Sequence, residues 1–134
     1  MMPKETDDLH ISLRARIYIN GTLAYGSGIS ALLQATRRLH SLHAASKELD
    51  MTYRKALQIV DRAEAVFGKK ILQKRIGGPK GGGSELTEFG EALVKQFSHF
   101  EEKLQTFAEE SFARSISPML LPEEGSLPKE ASQG

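Results

Sequence analysis

Residues 41–75 read S-L-H-A-A-S-K-E-L-D-M-T-Y-R-K-A-L-Q-I-V-D-R-A-E-A-V-F-G-K-K-I-L-Q-K-R. A short amphipathic segment ends at a break, Asp50-Met51. A second segment then opens with Thr52-Tyr53-Arg54-Lys55. This layout predicts a helix-turn-helix whose second helix offers a polar, cationic first turn to a DNA groove. The first of the two helices is expected over about Leu42 to Glu48, with Leu42, Ala45 and Leu49 on one side. The second starts at Thr52, a good N-cap, and stops at Gly68. Ala56, Val60, Ala63 and Phe67 form its buried stripe. Thr52, Tyr53, Arg54, Lys55, Gln58 and Arg62 are left for the outer and leading faces. An ordinary pair of packed helices would share this pattern, so the flanking sequence has to separate the two readings.

Downstream, Lys70 to Arg75 predicts a strand. The loop Gly77-Gly78-Pro79-Lys80-Gly81-Gly82-Gly83 and a return through Ser84-Glu85-Leu86 follow. Strand, loop and strand after a helix-turn-helix is the layout of a wing. Lys74 and Arg75 would serve the DNA backbone, with Lys80 as the cation of the wing tip. The loop does not fit a Walker A phosphate cradle, because its Gly-Lys is not followed by Ser or Thr. Thr87 is expected to cap a last helix over 87–112, with Gly90 as a local weak point. Leu86, Phe89, Leu93, Phe97, Phe100, Leu104 and Phe107 step by three and four along it. That seam can pack on the body or pair with a second copy. Its length favours a homodimer. Residues 113–134 are rich in Pro, Glu, Ser and Gly and predict a flexible tail.

Upstream, residues 1–10 are expected to be disordered. Ile11 to Ile19 alternates apolar and polar residues, which predicts a half-buried strand. Asn20-Gly21 then signals a hairpin, with Thr22 to Tyr25 returning. A first helix is expected from about Ser27 or Ile29 to Leu39, with Ile29, Leu32, Leu33, Thr36 and Leu39 at helical spacing. The domain thus covers 11–112, and the fold class is mostly α with a small β component: a winged helix-turn-helix with an N-terminal β-hairpin and a long C-terminal dimerisation helix.

The chain has 134 residues, 40% of them hydrophobic, no cysteine, and a net charge of +1. Disulfides and thiolate chemistry are excluded, and a cytoplasmic location is expected. No apolar run approaches the roughly 20 residues of a membrane helix. The small net charge hides a segregation. Residues 37–80 hold eleven basic and four acidic residues, a net of +7, while residues 81–134 hold four basic and ten acidic, a net of −6. The positive block coincides with the helix-turn-helix, which raises the nucleic-acid reading above that of a merely solvated face. His40 and His43 lack partners for a metal ligand set. No nucleophile, acid–base pair or cofactor motif emerges, so neither an enzyme nor a cofactor is expected.

The stretch A-A-S-K-E-L-D-M-T-Y-R-K-A, then G-K-K-I-L-Q-K-R, then G-G-P-K-G-G-G-S-E-L-T-E-F-G-E-A-L resembles the N-terminal domain of the ModE family of molybdate-responsive transcription factors, whose winged helix is similar to that of LysR-type regulators. The resemblance covers about Ile29 to Phe107, and its specific part is the glycine-rich wing. It implies a dimeric domain that binds double-stranded DNA at a near-palindromic site. It places Thr52, Tyr53, Arg54 and Lys55 at the start of the recognition helix and Lys80 in the wing. Asp50 stands where the family usually has the turn glycine, Leu57 where Trp is common, and Pro79 alters the wing. The family's molybdate-binding domain has no counterpart in the polar stretch after Phe112, so molybdate is not expected as a ligand. The alternative is a winged-helix protein-interaction module that does not bind DNA.

Overall fold

Asn20 and Gly21 both take positive φ, 51° and 81°, as a two-residue type I′ hairpin turn requires. They join β1 (Ile17–Ile19) to β2 (Thr22–Tyr25) in antiparallel pairing, Ile19 opposite Thr22 and Tyr18 opposite Leu23. The structure is a computed structural model that describes residues 9–75 and 83–121. The expected strand from Ile11 is cut to Ile17–Ile19. Its alternation of burial survives from Ala15 to Ile19, but β2 is only four residues long and leaves the earlier residues no strand to pair with.

The chain divides into two compact units, residues 14–99 and the flanking 1–13 with 100–134. The larger begins with the hairpin. It continues as α1 (Ser27–Leu39), α2 (Leu42–Glu48), α3 (Tyr53–Phe67), β3 (Leu72–Lys74), β4 (Ser84–Leu86) and the start of α4 (Glu88–Ser115). That is the order of elements the sequence predicts. Mostly helical with a small antiparallel β component, the chain has the expected fold class. Among the described residues no helix is long and apolar enough to cross a membrane.

Local chemistry sets the helix ends. Ser41 Oγ accepts the Ala44 N–H and starts α2. Thr52 Oγ1 accepts the Lys55 N–H at 3.0 Å and starts α3. Gly68, at φ 71°, ends α3 by donating its N–H to the Glu64 carbonyl. Between α2 and α3, Asp50 takes φ 61°. Aspartate tolerates this left-handed conformation better than most residues, so the turn forms without glycine. His40 does the same between α1 and α2, at φ 58°.

The apolar stripes converge on one core. Tyr25, Leu32, Leu33, Ile71 and Val94 are almost wholly buried, and Ala45, Ala56, Val60 and Ala63 supply the small contacts between helices. Tyr25 meets Phe97 edge to face at 4.7 Å. Phe89, Leu93 and Phe97, the first half of the aromatic seam, are absorbed in this core.

Two glycines set how closely the β3–β4 hairpin sits. Gly90 is not the weak point its propensity suggests. It is buried in α4, and a Cβ there would lie 2.5 Å from the Ile71 carbonyl oxygen. Gly83, at φ 102°, would place a Cβ 2.6 Å from the His40 carbonyl oxygen. That same oxygen accepts the Ser84 N–H at 3.1 Å. The hairpin is thus pressed against the α1–α2 turn through backbone contact.

In the smaller unit, the Gln105 amide pairs with extended backbone. Its Nε2 donates to the Ile11 carbonyl at 2.7 Å, and its Oε1 accepts the Leu13 N–H at 3.3 Å. Helical structure continues past Phe112, where composition predicts a tail. α4 runs to Ser115, and α5 (Ser117–Leu120) follows. Proline marks breaks in the middle of helices, but Pro118 lies in the first turn of α5, where no amide hydrogen is needed.

Candidate nucleic-acid interface

The buried stripe of α3 leaves its opposite side to solvent. Arg54, Lys55, Gln58 and Arg62 are all exposed there, as periodicity predicts. Thr52 is also exposed, but its hydroxyl oxygen is engaged as the cap of α3. Tyr53 is 44% exposed and stands at the leading edge. Its ring lies 5.1 Å from that of His43, so α2 braces the tyrosine. The sequence places His43 at the surface or against a neighbouring helix, and its neighbour here is the start of α3.

These residues do not all share one face. Tyr53, Leu57 and Asp61 line a groove between α3 and the β3–β4 hairpin, together with Lys74. Arg62 lies on the other flank with Ile59, in a groove shared with the residues around β2. Arg54 and Gln58 line neither groove. α3 therefore presents a central strip, a hairpin-side flank and a β1–β2-side flank. Lys74 is exposed and Arg75 half-buried at the end of the β3–β4 ladder away from its Leu72–Leu86 base. Lys80, expected at the wing tip, lies outside the described residues.

Ion pairing sorts the cations of the basic block. Arg37 pairs with Glu91 at 3.0 Å, Arg38 with Glu48, and Lys70 with Glu64 at 3.2 Å. Lys69 lies over the Phe89 ring at 4.9 Å. Among the described residues, Arg54, Lys55, Arg62, Lys74 and Arg75 make no ion pair. Five of the cations left without a carboxylate thus lie on α3 and the strand beside it; Lys47 on α2 and Lys69 are the others of the block among the described residues. An exposed cation that forfeits no internal partner can bind an external phosphate without first breaking a bond.

Glu64 holds β3 against α3. Its carboxylate accepts the N–H groups of Ile71 at 2.7 Å and Leu72 at 3.1 Å, besides the Lys70 ammonium. Its side chain is 11% exposed. Burial works to raise the pKa of this carboxyl, but the two backbone donors and Lys70 outweigh it, and the group titrates below its ordinary range. A carboxyl depressed in the folded state stabilises the fold above its unfolded-state pKa of about 4.3. That contribution is lost as pH falls through the lower folded value. Glu64→Gln keeps an acceptor but loses the charge. It should lower stability by about 1–2 kcal/mol at neutral pH. In urea titrations the variant should also show a shallower loss of stability than the parent on acidification below about pH 4.3.

No family model matches the chain. Two curated relatives align with part of it. Over about half its length the chain is similar to molybdenum-linked proteins. The molybdenum transport protein ModE of Azotobacter vinelandii is 28% identical over 75 residues, 56% of this chain and 28% of that protein. The molybdenum-pterin-binding protein MopA of Rhodobacter capsulatus is 30% identical over 73 residues, 54% of this chain and 28% of that protein. The chain's match therefore spans little more than a quarter of either relative.

Proposed function

We propose that this chain is a sequence-specific, non-enzymatic DNA-binding regulator of transcription, ModE-like in its winged helix-turn-helix. α3 enters the major groove. Arg54 and Gln58 face base edges, Tyr53 and Lys55 brace the entry, and Lys74 and Arg75 lie towards the backbone beside the wing. The observation that carries this reading is the placement of charge: five cations of the basic block, Arg54, Lys55, Arg62, Lys74 and Arg75, lie on α3 and at β3 without an ion pair among the described residues, while Arg37, Arg38 and Lys70 are neutralised. The similarity to ModE and MopA supports it. The relatives' molybdenum is not carried over, because the match covers 28% of each.

Homodimerisation belongs to the same proposal. Phe100 and Phe107, the second half of the seam, are 54% and 65% exposed. A second copy of α4 would bury them, and two α3 helices would then address two half-sites. The same exposed residues, with Met119 at 79% exposure, favour the alternative of a module that binds a partner protein and no DNA. Selection from a randomised duplex library by the full chain separates the two. Enrichment of a near-palindromic sequence is expected. Recovery of no duplex above background, alongside a retained protein complex, would establish the alternative.

A further inference from the structure

The groove on the β1–β2 side of α3 is lined by Arg16, Leu23, Ala24, Tyr25, Ile59 and Arg62, with the Gly26–Gly28 backbone as part of its wall. It contains no carboxylate, and its two cations come from distant parts of the chain. The groove on the other side of α3 shares none of these residues and mixes Asp61 and Glu64 with Lys70 and Lys74. Arg16 is exposed and, like Arg62, makes no ion pair among the described residues. Its stem runs beside Gly26, where an added Cβ would lie 3.5 Å from Arg16 Cγ. Arg16 and residue 26 are thus close neighbours on this wall of the groove. The volume of about 290 Å³ is at the low end for a small-molecule pocket.

We infer that Arg16 and Arg62 together hold the sugar-phosphate backbone of the duplex on the flank of α3 away from the wing. This rests on the DNA-binding reading and extends it. The wing gives α3 one backbone clamp, and the N-terminal hairpin gives it a second. The occupant follows from charge complementarity and from continuity, since Arg62 belongs to the helix proposed to enter the groove. Backbone contacts fix register without reading sequence. Both arginines are therefore positioning residues, and their loss should weaken all duplexes alike.

The test is a salt titration of full-length protein against a mixed-sequence duplex about three helical turns long, over roughly 50–200 mM salt, by fluorescence anisotropy. Each phosphate contact contributes about 0.9 to the slope of log K against log salt. Arg16→Gln and Arg62→Gln should each reduce the slope by about 0.9, and the double variant by about twice that. Arg14→Gln removes an exposed arginine two residues from Arg16 that does not line the groove, and should leave the slope unchanged. If the parent binds but Arg16→Gln keeps the full slope, or Arg14→Gln lowers it equally, the second clamp is refuted while DNA binding stands. Tight binding of inorganic phosphate that depends on Arg16, without an effect on the duplex slope, would refute it in favour of a free-anion site. If the parent binds no duplex at any salt, the functional proposal falls and this inference with it. Unchanged thermal melting of the variants ties a lost slope to contact rather than to folding.

Discussion

Gly90→Ala should destabilise the protein by about 2–3 kcal/mol, although alanine is the better helix former. In an exposed helix interior the same exchange would stabilise by up to about 1 kcal/mol. Here the new Cβ would stand 2.5 Å from the Ile71 carbonyl oxygen and 3.2 Å from its Cγ2. The clash is with backbone, not with the end of a flexible side chain that could swing away. Ile71 is itself fully buried, and its carbonyl also receives the Thr87 N–H at 2.9 Å. Relief would require α4 and the segment entering β3 to separate, at the expense of that bond and of core packing. Urea unfolding followed by circular dichroism reads the sign directly. An alanine variant as stable as the parent, or more so, would show that this close approach is absent.

Arg54→Ala should weaken binding to the preferred duplex by about 1–3 kcal/mol, roughly 5- to 150-fold, and relax selectivity at one base pair. Arg54 occupies the central strip of α3, is exposed, and makes no ion pair among the described residues. Its replacement therefore leaves no stranded carboxylate, and stability should change little. Lys47 provides the comparison. It is also exposed, but lies on the last turn of α2 and not on α3. Lys47→Ala should retain the preference of the parent. Competition binding with singly altered duplexes measures both effects. Equal losses for the two variants would reduce the interface to bulk charge.

Much of the body is written in local chemistry. Asn20-Gly21, the Thr52 cap and the Gly68 stop each satisfy a backbone demand within a few residues, so they can be read from the chain alone. The stripe Ala56, Val60, Ala63 and Phe67 is legible because burial of one helix face imposes its period on sequence. The length of β1 was not legible, because a strand ends where its partner ends, and β2 ends at Tyr25. The role of Gly90 is hidden for the same kind of reason: what approaches it is a backbone 19 residues away in sequence. Composition also suggested that order ceases after Phe112, whereas Pro118 sits where helices accept proline.

The candidate interface was legible as a set but not as an arrangement. Exposure of Arg54, Lys55, Gln58 and Arg62 follows from the helical period. That Arg62 alone of them lines the groove beside β2, while Arg54 and Gln58 line neither groove, depends on which elements pack beside α3. Arg16 is not legible as part of it, because alternation places it on the solvent side of a strand and nothing local links it to Arg62. Glu64 was hidden similarly. It looks like a surface acid on α3, yet it receives two backbone amides seven and eight residues further on.

The central claim is that α3 and the strand beside it meet DNA while the second half of α4 does not. Amide chemical-shift changes on adding the selected duplex to labelled protein test this most directly. The account predicts the largest changes over Thr52 to Arg62 and Leu72 to Arg75, with smaller ones near Arg16. Residues from Phe100 to Ser115 should move little once the dimer is formed. Changes confined to Phe100–Ser115, or no change at saturating duplex, would contradict it.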